Sequence, residues 1–368
     1  MGTVVSRRRK DGSTGYTAQI LKKRDGKIVL RQAQTFDRKA AAEAWIKKRE
    51  TELAQPGAVE RAGKDKVVLA QAIDRYVDES IKEIGRTKAQ VLQSIKNYDL
   101  ANMACEKIGS DDIVSFAREL AAGQRTPATV ANYLSHLGAV FAIADPAWKY
   151  PLNQQAMKDA FVVAGRLGLT GKSIQRDRRP SLEELDLLMS HFRARSLRRS
   201  RTAPMDRITA FALFSTRRQE EITKIEWTDL EEAHSRVLVR DMKNPGEKIG
   251  NDVWCDLPEP ALAIIKAMPR VSERIFPYST DAIGAAFTRA SLFLGINTED
   301  MPDAKRLHFH DLRHDGVSRL FEIGLNIPHV AAVSGHRSWT SLKRYTHMRQ
   351  TGDKYEGWKW LPMVTSQS

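Results

Sequence analysis

Cysteine is nearly absent from this chain: its 368 residues include only Cys105 and Cys255, far apart and neither in a CxxC pair. They read as reduced cysteines of a cytoplasmic protein, not as a disulfide framework. No apolar run reaches 18 residues, so no membrane-spanning helix is expected. The N-terminus is basic without an apolar core, so no signal peptide is expected there. Internal repeats, long low-complexity tracts and an acidic cluster suited to a two-metal site are also missing.

Positive charge is abundant. Against 45 Asp and Glu stand 59 Lys and Arg, a formal net charge of +14. Such an excess favours a polyanion as partner, through counterion release and long-range steering. It is also uneven: residues 1–62 hold 15 Lys and Arg against 7 Asp and Glu.

Residues 1–55 read as a small separate module. Residues 3–6, 16–21 and 27–36 have strand character, separated by Asp11-Gly12-Ser13 and Arg24-Asp25-Gly26. Asp37 is placed to cap an alanine-rich helix from Arg38 to about Leu53. Arg7, Arg8, Arg9 and Lys10, with Lys22, Lys23 and Arg24, make one edge cationic. A linker runs from Gln55-Pro56-Gly57 to Lys66. Residues 66–165 then show helical periodicity, as in Leu69, Ala72, Ile73 and Tyr76. Ser110-Asp111-Asp112 is expected to cap a third helix there, and Thr126-Pro127 to open a fourth. The cations of this bundle include Arg86, Lys88, Lys96 and Arg125, each able to meet a phosphate or simply to be solvated. Residues 167–180 form a second basic linker. The capping-box pattern Ser181-x-x-Glu184 opens a domain over residues 180–350. In it a helix is expected at 205–214 and a hairpin from 236–240 and 252–257. Residues 351–368 are a tail dense in Tyr355, Trp358, Trp360, Leu361 and Met363. These must pack on their own domain or on a neighbouring copy, and the tail is expected to dock on the neighbour and hold an assembly together.

The chemistry concentrates in residues 307–348. His310 and Arg313 are three apart and share a helix face. His336 and Tyr345 are nine apart and would point to opposite sides of one continuous helix. Gly335 instead ends a helix over 327–334, with Pro328 near its start, and Ser338 is placed to cap a second helix carrying Tyr345. A turn between them lets both side chains reach one site.

This stretch resembles the tyrosine recombinases of the phage integrase family. Their pattern is HxxR, then (L/S)GH, then a tyrosine nine residues on. Here it reads His310-x-x-Arg313, Ser334-Gly335-His336 and Tyr345-Thr346-His347. The family's upstream TGxRxxE(I/L) aligns on Glu221-Ile222, which puts its arginine at Arg218 and its glycine at Thr216. Spacing alone does not decide between Arg217 and Arg218; the family register favours Arg218, with Glu221 to orient it. The hairpin lysine of the family falls on Lys243, with Met242 where Thr is usual and Lys248 as a weaker competitor.

The resemblance implies a catalytic set of Arg218, Lys243, His310, Arg313, His336 and Tyr345, with no cofactor and no metal. The arginines would hold the phosphodiester, Tyr345 would attack it, His310 would take the tyrosine's proton, and Lys243 would protonate the leaving oxygen. The implied fold is multidomain and mainly α: a small β3-α N-terminal module for arm-type DNA sites, a helical core-binding bundle, and an α-rich catalytic domain with a small β-sheet. The implied partners are double-stranded DNA, three further copies in a synaptic homotetramer, and accessory DNA-bending or directionality proteins. The implied setting is the cytoplasm of a bacterial cell, on the nucleoid when acting. Integration or excision of a prophage or other mobile element is the expected task. Inversion of a local DNA segment, relaxation by a type IB topoisomerase relative, and a catalytically inactive architectural role are the alternatives.

Overall fold

A computed structural model describes residues 2–8, 14–24, 27–55, 57–62, 67–81, 84–173, 176–198, 202–242 and 250–367. They fall into two compact units, 1–173 and 174–368.

The first unit begins with an antiparallel sheet of order β1-β2-β3: β1 Thr3–Arg8, β2 Thr14–Arg24 and β3 Lys27–Phe36. Val5 and Thr35 flank Thr17 in register. β1 and β2 run further than their apolar residues suggest, so Arg7, Arg8, Lys22 and Lys23 sit on paired strands. Cross-strand hydrogen bonds hold polar residues as well as apolar ones, which is why alternation underestimates strand length. Arg9 lies outside the described residues. Helix α1 (Lys39–Leu53) covers one face of the sheet, where Ile20, Leu30 and Leu53 form a small core with Trp45 and Ile46. The helix starts one residue later than expected: Arg38 and not Asp37 is its N-cap residue, and no side chain caps it. A short helix α2 (Ala58–Ala62) follows.

Among the described residues the α-helices that follow are α3 (Leu69–Asp78), α4 (Arg86–Ile95), α5 (Ser110–Ala122), α6 (Pro127–Trp148) and α7 (Gln154–Arg166). Their inward stripes, including Ile73, Leu92, Phe116, Leu134 and Phe141, make one core. Thr126 caps α6 by accepting from the Thr129 N–H. At α5 the expectation shifts by one: Gly109 is the N-cap residue, and Asp112 reaches back to the Gly109 N–H at 2.9 Å. Lys88 reaches the Tyr76 hydroxyl, Lys96 pairs with Asp74 at 2.6 Å, and Arg125 lies over the Tyr133 ring at 5.3 Å. Arg86, the first residue of α4, is exposed.

The second unit opens with α8 (Leu182–Arg198). Its capping box is formed: Ser181 Oγ accepts from the Glu184 N–H at 3.1 Å, and Glu184 accepts from the Ser181 N–H at 2.8 Å. Next come α9 (Met205–Ser215), buried along its whole length, and α10 (Gln219–Ile222). A sheet of order β4-β5-β6 follows, from Leu230–Glu231, Arg236–Val239 and Val253–Asp256. β4, only two residues long, is not visible as a strand in the sequence. Helices α11 (Glu259–Lys266) and α12 (Thr280–Phe293) fill the core with Ile264, Ile265 and Phe287.

Helix α13 (Phe309–Glu322) crosses α9 so closely at Gly316 that a Cβ there would lie 2.1 Å from the Leu213 carbonyl oxygen. It is followed by α14 (Ile327–Ser334), α15 (Trp339–Leu342) and α16 (Leu361–Thr365). Residues 351–367 pack against their own unit, with Met363 left exposed. Tyr355, Trp358, Trp360 and Val364 belong to its hydrophobic core. Trp358 and Trp360 both donate their indole N–H to Asp186, at 3.2 and 2.9 Å. These internal acceptors satisfy the polar tips that a terminal aromatic segment would otherwise have to expose or carry to another subunit. No helix of the described residues is long and apolar enough to cross a membrane.

Candidate active site

The site forms where the ends of α9, α13 and α14 meet. Helix α9 stops at Ser215 because Thr216 adopts a left-handed conformation, φ 55°. The family pattern has glycine here, since a β-branched residue is strained in that region. Thr216 is fully buried, and its carbonyl accepts from the Arg313 guanidinium. The turn then sends two consecutive arginines in different directions.

Arg217 is 1% exposed, whereas the Arg218 side chain is 26% exposed. The guanidinium of Arg217 is consumed by the Val333 carbonyl, the Ser215 carbonyl at 3.2 Å and the Cys255 sulfur at 3.0 Å. Arg218 keeps one face open and is tied to Glu221 at 2.5 Å. Glu221 also accepts from the Arg218 N–H at 3.0 Å. Burial alone would raise the Glu221 carboxyl, but Arg217, Arg313 and Arg218 together hold it below its ordinary value.

Arg313 projects from α13 into this junction. It donates to the Ser334 carbonyl at 3.0 Å and contacts the His336 ring at 3.2 Å, closing α14 against α13. Burial, then the nearby Arg218 and Arg217, push its guanidinium down to about 9, so it is charged at neutral pH. Helix α14 ends at Gly335, whose φ of 70° supplies the left-handed cap. His336 then turns back to Ser334 Oγ, 2.7 Å from its Nδ1. Burial and the same arginines push its imidazole down to about 3, so it is neutral at physiological pH.

Tyr345 ends a 3-10 turn, Lys343–Tyr345, that follows α15. Ser338 precedes α15, but its side chain makes no capping bond. The tyrosine is buried, stacks on Phe321 at 6.2 Å, and bonds through its hydroxyl to His314 Nδ1 at 2.6 Å. Burial raises its pKa, against the opposing pull of Arg344 and Arg313. His310 is exposed one turn earlier on α13, its ring edge-on to His314 at 5.0 Å.

Lys243 and Lys248 lie outside the described residues. Their hairpin is anchored next to the site: Met242 pairs with Asn251 at 2.9 Å, and a Cβ on Gly335 would lie 2.5 Å from the Met242 methyl. Among the described residues no group of three or more His, Cys, Asp or Glu is placed to hold a metal.

Three residues of the site escape the sequence reading. His314 is one; its signal is the spacing of four from His310, which puts the two on one face of α13. The others are Arg176 and Asp311, bonded at 2.9 and 3.2 Å. Asp311 also accepts from the His308 N–H at 2.8 Å and so fixes the start of α13. Only the folded chain brings Arg176 there.

The profile of the phage integrase family matches residues 181–351. A shufflon-specific DNA recombinase of Escherichia coli is 30% identical over 298 residues, 77% of this chain and 70% of that protein. This chain belongs to the phage integrase family. It is a tyrosine-type site-specific recombinase. Solved members share its fold. A lambda integrase dimer bound to a COC′ core site is 19% identical, with a TM-score of 0.58 over 93% of this chain and 94% of that one. The Tn1549 transposon integrase, in complex with transposon right end DNA, is 13% identical, with a TM-score of 0.55 over 76% of this chain and 94% of that one. The multidomain, mainly helical architecture with small antiparallel sheets is that of these integrases.

Proposed function

We propose that this recombinase cuts and rejoins double-stranded DNA through a 3′-phosphotyrosine on Tyr345. One observation carries the reading: consecutive residues of α13, Arg313 and His314, contact His336 and Tyr345 respectively. A cation, a neutral imidazole and a tyrosine hydroxyl therefore gather around one turn of α13.

Unaided phosphodiester cleavage is extremely slow, so charge on the non-bridging oxygens must be stabilised strongly. Arg218 and Arg313 serve this purpose with planar donor forks that stay charged. Neutral His336 adds a donor. Tyr345 attacks phosphorus, and Lys243 protonates the departing 5′ oxygen. The family register gives His310 the tyrosine's proton. Glu221 aims Arg218. The phosphotyrosine retains the energy of the broken bond, so a second 5′ hydroxyl can reverse the step without ATP. This scheme uses no cofactor and no metal, and cleavage should persist in EDTA.

The assignment of domains follows: 1–55 for arm-type DNA sites, 66–165 for the core site, 180–350 for catalysis, with the 351–368 tail closing the catalytic domain. The sheet face opposite α1 favours the first of these. On it Thr17 bonds to Thr35 at 2.9 Å, and Arg7, Lys23 and Arg31 are exposed on the same sheet. In the bundle, Arg86 and the ring-stacked Lys88 and Arg125 are the DNA candidates, while Asp74 already neutralises Lys96. A lambda integrase tetramer bound to a Holliday junction has this fold, at 18% identity and a TM-score of 0.57. That supports four copies on DNA; a cytoplasmic setting and accessory DNA-bending or directionality proteins belong to the same reading as expectations.

Integration or excision of a mobile element is one task; inversion is the second. The shufflon-specific relative favours inversion. A plasmid carrying the flanking repeats in inverted orientation, set beside one carrying them on separate molecules, separates the two. The chemistry is tested with a nicked suicide duplex bearing that crossover sequence. Tyr345→Phe should bind it and form no adduct, and an adduct mapped to Tyr355 would overturn the register.

A further inference from the structure

We propose that His314, and not His310, accepts the proton that Tyr345 loses, which makes His314 a catalytic residue of this recombinase. The inference rests on the reading of Tyr345 as nucleophile.

The geometry is specific. The Tyr345 hydroxyl lies 2.6 Å from His314 Nδ1, with the two rings 6.4 Å apart and inclined at 33°. Stacking on Phe321 at 6.2 Å, and the Arg344 guanidinium 5.2 Å from the tyrosine ring centroid, keep the hydroxyl directed at α13. His310 touches the other side of His314, edge-on. Nδ1 can accept only if the proton of the neutral ring sits on Nε2.

The surroundings keep that acceptor neutral. His314 faces His310, Asp311 and Arg313 on its own helix, and Arg344 and Tyr345 on the segment packed against it. Arg344 is in turn paired with Asp177 at 2.5 Å. Burial, then His310 and Arg344, push the imidazole down to about 4, while Asp311 opposes them. The lone pair is therefore available throughout the neutral range. A scissile phosphate entering beside Arg313 brings negative charge, which raises the basicity of His314 when the proton must move.

The step balances. The Tyr345 hydroxyl proton passes to His314 Nδ1 as the Oη–P bond forms and the P–O5′ bond breaks, and the 5′ oxygen takes its proton from the acid assigned to Lys243. On rejoining, the incoming 5′ hydroxyl gives its proton back to the group assigned to Lys243 as the P–O5′ bond re-forms and the Oη–P bond breaks, and Tyr345 recovers its proton from His314.

The test is single-turnover cleavage by the full chain, from pH 5.5 to 8, below the titration of Arg313, of a nicked duplex carrying the crossover sequence recovered from DNA flanking its gene. His314→Asn keeps an acceptor without basicity; His314→Gln replaces it if Asn fails to bind the duplex. The variant should cleave about 10²- to 10⁴-fold more slowly at pH 7. Its rate should also climb roughly tenfold per pH unit as hydroxide substitutes for the missing base, whereas the wild type stays nearly flat. Imidazole should restore His314→Ala. His310→Asn should keep the flat profile. A His314 variant slowed equally at every pH, or a steep profile in His310→Asn, overturns the proposal. An adduct absent from Tyr345 in the wild type instead overturns the functional reading beneath it.

Discussion

Tyr355 gives its hydroxyl hydrogen to Asp315, a fully buried carboxylate on the same helix that carries His310 and Arg313. Asp315 also takes Arg179 at 2.6 Å and Lys354 at 2.9 Å. The segment before α8 and the tail after Tyr345 thus meet on one acid behind the site. A buried carboxylate needs such partners, because its desolvation is otherwise uncompensated.

Truncation after Gln350 should therefore unfold the catalytic unit, and not merely weaken assembly. Near-UV circular dichroism and urea titration would report the loss. Tyr355→Phe alone should cost about 1–3 kcal/mol. A truncated chain that unfolds cooperatively at the full-length midpoint would show the tail to be dispensable.

Gly316→Ala should be among the most damaging single-methyl changes. The new Cβ would sit 2.1 Å from backbone, the Leu213 carbonyl oxygen, which cannot rotate away. About 3 kcal/mol is expected for such overpacking. Gly138→Ala, inside α6, is the control: its nearest neighbour would be Met157 Cγ at an ordinary 3.8 Å. There the better helix propensity should stabilise by roughly 0.5–1 kcal/mol. Thermal melting of both variants checks the contrast.

Glu221→Gln leaves the shape and removes the charge that balances Arg217, Arg218 and Arg313. Breaking a buried ionic group on one side costs about 3–5 kcal/mol. Loss of the 2.5 Å tie should also free Arg218 and slow cleavage at least tenfold, with DNA binding nearly unchanged. Equal losses in binding and cleavage would mean that Glu221 holds the fold and does not aim Arg218.

Acid should destabilise the catalytic unit in a window defined by two histidines. His314 and His336 are pushed down to about 4 and about 3 from an unfolded value of 6.5. Above pH 6.5 both are neutral in either state. Below it the unfolded chain binds protons that the folded chain refuses, so stability falls as pH drops toward those lower values. Urea midpoints at pH 7.5 and 5.0 measure the slope. His336→Asn should flatten it, and an unchanged slope would mean that other groups control acid unfolding.

Much of this protein was legible in its residues. Capping chemistry at Ser181 and Thr126 is local, and a left-handed Gly335 behind a helix opened by Pro328 follows from backbone sterics alone. The order and spacing of His310, Arg313, His336 and Tyr345 carried the family. Other features were not legible, because they depend on which groups lose water. Arg217 and Arg218 pair with Glu221 at nearly the same helical spacing, and only burial of the first decided that the second faces outward. The partner of Tyr345 was equally hidden: His310 and His314 share a face of α13, and the return of a 3-10 turn selected His314. The destination of the tail depended on Asp186 and Asp315, two acids distant in sequence, the first half-buried and the second fully buried, that the fold sets beside it. Local sterics act between neighbours in the chain and can be read in order, whereas desolvation is settled only when distant segments close over one another.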